Sequence, residues 1–271
     1  MLVENKLTGK VAVVTGSSAG IGAGIAIEMA RQGALVTLNG RDEVKLNQVA
    51  AKCEQVSPGK KKAHACIVVG DISKENVRKR LITQTVSLFG KLDILVNNAG
   101  FIKVTPVEDT TLEALDAMLD IHVKAPFHLT KFAMPQLIKN KGNVINISTA
   151  LSHRPHSINV FVEYTMAKAA LDQFTMWTAR ELGPKGVRVN SIHPGLIDTD
   201  LFGGLGLSEK ETIEVKQMYS NLHAVRRLGT PEDIAKAAVF LASSDASFVT
   251  GHLMRVDGGF EVMPAGPTHD A

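Results

Sequence analysis

Tyr164 and Lys168 are the residues in this chain whose types and spacing best suit proton transfer. They sit at the start of an amphipathic run, Tyr164-Thr165-Met166-Ala167-Lys168 onward to about Glu181. On a helix, side chains four apart share a face, offset by about 6 Å along the axis. A phenol ordinarily titrates at about pH 10, and a nearby ammonium favours the phenolate and lowers that value. The pair is therefore expected to give a hydroxyl usable as acid or base near neutrality. The same spacing also suits a solvated helix face, so the elements around the pair must decide between the two.

Those elements alternate. Val11-Ala12-Val13-Val14 is a short apolar run that breaks at Thr15-Gly16 and resumes with helical period through Ile21, Ile25 and Met29. Leu35 to Leu38 forms a second strand, about 42–53 a helix, Cys66 to Val69 a third strand, and about 74–89 a further helix. Leu92 to Asn97 reads as a strand buried on both faces. Thr110 with Glu113 has the form of a capping box, opening a helix that carries Leu112, Leu115, Met118 and Leu119 and whose continuation Pro126 should bend or interrupt. Asn143 to Ser148 is the next strand. The helix containing Tyr164 follows and is stopped by Gly183-Pro184, after which Val187 to Ile192 is again strand. Thr230-Pro231-Glu232-Asp233 caps a last helix ahead of a strand at Leu253 to Val256. Strands and helices at this interval specify one α/β domain over 1–271, a Rossmann-like doubly wound parallel sheet of about seven strands with helices on both faces. The pattern loosens over about 196–223, where Gly203-Gly204-Leu205-Gly206 is flanked by Leu201, Phe202 and Leu207; this is the expected substrate lid.

Composition narrows the classes. With 45% hydrophobic and 21% charged residues, the chain is expected to be globular rather than disordered. Lys+Arg 30 against Asp+Glu 27 leaves no basic tract of the kind that coats nucleic acid. The one cluster, Lys60-Lys61-Lys62, reads as a solvated turn. Two cysteines, Cys53 and Cys66, lack metal-ligand spacing and suit reduced thiols in a cytoplasmic protein. Neither a membrane span nor a secretory leader is expected, since Glu4, Lys6 and Lys10 interrupt the N-terminal segment.

The turn Thr15-Gly16-Ser17-Ser18-Ala19-Gly20-Ile21-Gly22 lies between the first strand and the first helix, where a dinucleotide pyrophosphate would meet backbone amides and a helix N-terminus. A glycine turn with no ligand has the same look, and its position as the first βα turn favours the binding reading. After the second strand the chain reads Asn39-Gly40-Arg41, with a guanidinium where a carboxylate would otherwise accept from ribose hydroxyls. Arg41 can pair with a 2′-phosphate, so NADP(H) is expected over NAD(H), with NAD(H) possible; Asp42 could partly neutralise it.

On this ordered set the chain resembles the short-chain dehydrogenase/reductase family, single-domain type, over essentially its whole length. The residues that carry the resemblance are Thr15 through Gly22, Asp71-Ile72, Asn97-Asn98-Ala99-Gly100, Tyr164 with Lys168, Pro194-Gly195 with Thr199, and Val256-Asp257-Gly258-Gly259. The resemblance implies cofactor contacts from Gly16, Ser17, Ser18, Gly20, Ile21, Gly22, Arg41, Asp71, Ile72, Asn98, Ala99, Gly100, Pro194, Gly195, Ile197 and Thr199, with Tyr164 and Lys168 touching both cofactor and chemistry. It implies hydride transfer between nicotinamide and a carbinol carbon, with Tyr164 handling the proton. Lys168 would hold the nicotinamide ribose. A homotetramer or homodimer is implied as well, through the helix carrying Met166, Ala169, Ala170, Phe174 and Trp177.

Two positions depart from the family pattern. Three residues past Asn146, where a serine is usual, stands Thr149; counting thirteen back from Tyr164 lands instead on Leu151, which has no hydroxyl. Thr149 can donate the same hydrogen bond, and Ser148 and Ser152 are the alternatives. His122 stands where the family has an asparagine linked to a proton relay. It serves either as a relay imidazole or as an ordinary satisfied histidine. His153 and His156 lack a carboxylate or thiol companion, and no metal is expected.

The resulting expectation is an NADP(H)-preferring oxidoreductase acting on a carbonyl or secondary alcohol of a small apolar molecule, the apolar character suggested by Leu201, Phe202, Leu205, Leu207 and Met218. Two alternatives stand beside it. One is an enzyme that dehydrates or epimerises with a retained cofactor. The other is a non-catalytic NADP(H)-binding sensor or scaffold, which needs the phosphate turn but not Tyr164.

Overall fold

The computed structural model describes residues 5–58, 65–103, 105–152, 162–199 and 208–263. Lys60 to Lys62, His153 to His156 and Leu201 to Leu207 lie outside the described residues.

Among the described residues seven parallel strands form one sheet. The chain alternates β1 (Val11–Val14), α1 (Gly20–Arg31), β2 (Leu35–Gly40), α2 (Glu43–Val56), β3 (Cys66–Val69), α3 (Glu75–Phe89) and β4 (Ile94–Asn97). It continues with α4 (Leu112–Leu119), α5 (Ala125–Asn140), β5 (Asn143–Ile147), α6 (Val162–Leu182), β6 (Arg188–Pro194), α7 (Glu209–Asn221), α8 (Pro231–Ala242) and β7 (Leu253–Val256). The spatial order is β3-β2-β1-β4-β5-β6-β7. The chain winds outward from β1 to one edge, returns, and winds from β4 to the other. Ala12, Val13 and Val14 pair with Ile94, Leu95 and Val96 at the point of reversal. In open α/β sheets a ligand crevice opens there, beyond the carboxyl ends of the strands.

Strand period sorts the core. Alternate side chains point to opposite faces, so Ala12, Val14, Ile94, Val96, Ile145 and Ile147 pack with Ile25, Met29, Ile234 and Ala238 from α1 and α8. Val13, Leu95 and Val144 pack on the other face with Leu81, Leu129, Leu137, Ala179 and Leu182 from α3, α5 and α6. Both faces are apolar, which is why the strands read as unbroken hydrophobic runs.

Two local expectations shift. The cap of α4 is Thr111, whose hydroxyl accepts from Ala114 N, not Thr110, whose hydroxyl donates to Pro106 O. Pro126 falls where the α-helical ladder is interrupted: a π-helical segment, Asp120–Lys124, separates α4 from α5, and Ala125 N donates to Asp120 O just ahead of the proline. The expected lid contains a real helix, α7, opened by a Ser208/Glu211 capping box.

Candidate active site

The two turns at the point of reversal are bolted together. Thr15 Oγ1 accepts from both Asn98 N and Ala99 N at 3.0 Å. Asn98 Nδ2 donates to Thr15 O at 2.9 Å and to Gly16 O at 3.2 Å. Their approach requires glycine. Gly16 adopts φ +64°, and a methyl group on it would lie 2.7 Å from Ala99 Cα. At Gly22 a methyl group would overlap Gly16 O and Asn98 Nδ2. Thr199 lies across the turn, its methyl carbon 3.3 Å from where a Gly20 side chain would start. The residue before α1, Ala19, caps no amide with its side chain, and the first turn carries no acid. The opening amides of α1 and its positive dipole end thus face the crevice, the arrangement that accepts a phosphate. The residues fit a dinucleotide.

Ser18 and Ile21 are partly exposed on this turn. Ser17 is fully buried, donating its amide to Asn39 O at 2.8 Å and accepting from Asn39 N at 3.0 Å. These bonds tie the turn to β2. Asn39 in turn donates to Val68 O at 3.0 Å and Gly70 O at 3.2 Å, which fixes the ends of β2 and β3. Arg41 is exposed just past β2. Asp42 accepts from Lys45 N at 3.0 Å as the cap of α2, so its carboxylate is committed to the helix rather than to Arg41. Asp71 is held below the usual carboxylate range, first by the Ser73 amide and in part by the Arg41 charge. Ile72 is 3% exposed and packs into the core. Gly100 is exposed and crowded by His122; Pro194 ends β6, and Gly195 and Ile197 line a cavity of about 220 Å³ beside His223 and Asp257.

Opposite the turn, α6 and the β5 C-terminus bring the proton-handling groups together. The Thr149 hydroxyl is hydrogen-bonded to the Tyr164 hydroxyl. Leu151 N donates to Thr149 Oγ1 at 3.3 Å, which leaves the threonine hydrogen to point at the phenol. Ser148 Oγ is buried without a partner among the described residues, and Ser152 Oγ donates to Thr149 O at 2.9 Å. Lys168 Nζ donates to Ile147 O at 2.6 Å and lies 5.6 Å from the centre of the Tyr164 ring.

The expectation that Lys168 lowers the phenol's pKa does not hold in the protein alone. The Tyr164 ring is partly exposed, but its hydroxyl lies deep, and burial pushes it up to about 12, opposed by the Thr149 bond and reinforced by Asp172. Burial likewise pulls Lys168 down to about 8, opposed by Asp172. Desolvation outweighs the charge pairing, because the ammonium is fixed on the Ile147 carbonyl instead of the phenol oxygen. The phenol is therefore held in its acid form. Asp172 was legible by the same four-residue step that links Tyr164 to Lys168, and the sequence reading passes over it.

His122 rides on the π-helical segment, a feature frequent at functional sites. Its Nε2–H donates to Phe101 O at 2.8 Å, its ring meets Tyr164 edge-on at 5.3 Å, and Nδ1 is buried without a partner among the described residues. Burial, then the Lys168 charge, hold it at about 3 against the Phe101 bond. It is thus neutral and adds no second cation near Lys168. Its folded value lies below its unfolded one, so its contribution to stability is full above about pH 6.5 and is lost on acidification toward 3. His122→Gln is accordingly expected to blunt acid sensitivity. In urea unfolding, the wild-type protein should lose about 2–3 kcal/mol more than the variant between pH 6.5 and 4.5.

A glycine cradle at a sheet reversal, facing a buried Thr-Tyr-Lys cluster, defines a dinucleotide-dependent oxidoreductase. Residues 16–261 match the family model described as enoyl-(acyl carrier protein) reductase. The chain is 37% identical over 254 residues to 7alpha-hydroxysteroid dehydrogenase of Escherichia coli (strain K12), covering 94% of this chain and 95% of that protein. It is 34% identical over 262 residues to glucose 1-dehydrogenase 2 of Bacillus subtilis (strain 168), covering 96% and 97%. A short-chain dehydrogenase/reductase of unknown function from Caenorhabditis elegans, solved with cofactor, superposes with TM-score 0.87 at 31% identity, covering 98% of this chain and 100% of that one. The chain belongs to the short-chain dehydrogenase/reductase family and is an NAD(P)-dependent oxidoreductase acting on CH–OH or carbonyl groups of small molecules. Among the described residues no helix is long and apolar enough to cross a membrane.

Proposed function

We propose that this enzyme is NADP(H)-preferring and reduces the carbonyl of an apolar small molecule, the reverse oxidation being available to the same groups. The observation that carries the chemistry is the Thr149 bond to a phenol held protonated by burial. When bound, the nicotinamide supplies or takes the hydride. Tyr164 gives its proton to the carbonyl oxygen, and Thr149 donates to the same oxygen as charge develops on it. Lys168 holds the nicotinamide ribose. The Thr149 contact also weighs against a non-catalytic sensor, which has no use for a poised acid.

The cofactor preference rests on Arg41, exposed and unshared with Asp42, whose carboxylate caps α2. Fluorescence titration should show NADPH binding about tenfold or more tighter than NADH, and Arg41→Ser should close most of that gap. Tighter binding of NADH by the wild-type protein would reverse the assignment.

The same reading takes 196–223 as the substrate lid of a one-domain enzyme. Its base is latched where Asp198 N donates to Gly229 O at 2.8 Å and Gly229 N to Leu196 O at 3.0 Å. Lys216 on α7 pairs with Asp198 at 2.8 Å. Met218 is 51% exposed on α7, available to an apolar substrate or to the closing lid. Met166 and Trp177 on α6 are also exposed, which suits a homo-oligomer closing over that face.

A further inference from the structure

We propose that Asp172, backed by His193, is a positioning residue for the reaction: its carboxylate, one helical turn beyond Lys168 on the same buried face, is the counter-charge of the ammonium that Ile147 O fixes. This rests on the reading of Lys168 as the ribose-binding cation.

The geometry is specific. Asp172 and Lys168 are 2% and 4% exposed, four residues apart on one face of α6. Two side chains from β6 meet the carboxylate. His193 Nε2 lies 3.0 Å from Asp172 Oδ1, and Ser191 Oγ lies 3.5 Å from the same oxygen. These residues alternate along the strand and so face α6 together. The other nitrogen of His193, Nδ1, reaches Ser152 Oγ at 3.5 Å, and that hydroxyl donates to Thr149 O. The carboxylate is thus met by β6 on one side and shares the buried face of α6 with Lys168 on the other.

Burying a carboxylate beside an ammonium is weak evidence for stability, because desolvating two charges offsets most of their attraction. A task at the site accounts for it better. The titratable groups around Lys168 are Tyr164 on its own helix, His122 on the π-helical segment, and Asp172 backed by His193 of β6. The phenol and His122 are neutral. Asp172 is the charge that opposes the burial of Lys168. Without it the ammonium would lose its proton within the working pH range.

The test is Asp172→Asn, an isosteric change, read by NADPH affinity at pH 6.5 and pH 8.5 and by the pH profile of kcat/KM. The expected result is an alkaline limb moved down by about one pH unit. NADPH affinity should fall about tenfold at pH 8.5 while changing little at pH 6.5. Lys168→Met should weaken NADPH at both pH values, and adding Asp172→Asn to it should weaken NADPH no further. A pH-independent loss, or an unshifted profile, would overturn the proposal. Should Asp172→Asn fail to fold, His193→Phe is expected to shift the limb in the same direction by a smaller amount and His193→Gln, which keeps a donor, to restore it; an unshifted His193→Phe profile would overturn the proposal equally. If Lys168→Met itself binds NADPH as the wild type does, the reading of Lys168 fails first, and the two failures are thereby told apart.

Discussion

Tyr164→Phe is expected to fold normally, to bind NADPH within about twofold of the wild-type protein, and to lose about three orders of magnitude or more in kcat. The substitution removes one oxygen and leaves the ring, whose edge contact with His122 and position over Lys168 depend on the carbon frame. The oxygen carries the hydrogen bond to Thr149 and the proton to be transferred. Removing it leaves Thr149 as a donor to the carbonyl oxygen but provides no acid. A loss confined to kcat, with the affinity for cofactor kept, marks a group acting in the transition state. A variant that retained most of its turnover would show that another residue delivers the proton.

The second large effect is expected at Gly22→Ala. In a helix interior alanine is favoured over glycine by about 1 kcal/mol, so propensity alone argues for a stabilised protein. Packing argues the other way and wins. The added methyl group would overlap Gly16 O and Asn98 Nδ2, and neither can retreat. Asn98 is bonded to Thr15 O and Gly16 O, while Thr15 holds the Asn98 and Ala99 amides. Overpacking a locked site costs about 1–3 kcal/mol, and the displaced turn is the one that faces the pyrophosphate. NADPH affinity should drop about a hundredfold, from these same few kilocalories, and the thermal midpoint should fall. An unchanged midpoint with wild-type affinity would mean that the cradle does not depend on this contact.

Much of the fold was legible because its strands are buried on both faces and its punctuation is strong. Val11–Val14 and Ile94–Asn97 are runs no solvated element would carry, and the Thr230/Asp233 capping box with Pro231 fixes the start of α8. The site's nearest neighbours were legible in pairs at helical spacing, as with Tyr164 and Lys168. Choosing Thr149 over Leu151 required only the step from Asn146 at the strand end. Less visible was everything that depends on where a polar atom ends. Ser17 sits in the glycine turn, and only the structure shows its bonds to Asn39 of β2. Thr110 and Thr111 are adjacent hydroxyls, and which one caps α4 depends on where the three-residue turn Val107–Asp109 after Pro106 ends. The phenol's elevation follows from burial depth, which periodicity does not report. Asp172 looked like one polar residue among others on α6, and it is its His193 partner, distant in sequence, that gives it meaning.

The central claim, that this crevice transfers a hydride to a carbonyl, is tested most directly by isotope. NADPH carrying deuterium at the transferring C4 position is incubated with the protein and a panel of ketosteroids, ketoses, diketones and quinones, and each product is weighed by mass spectrometry. The expected result is an alcohol from at least one class bearing a single deuterium on the carbinol carbon, formed by the wild-type protein and lost in Tyr164→Phe. Cofactor that binds but keeps its deuterium against every carbonyl, or substrate converted with no label gained and no NADPH consumed, would contradict it.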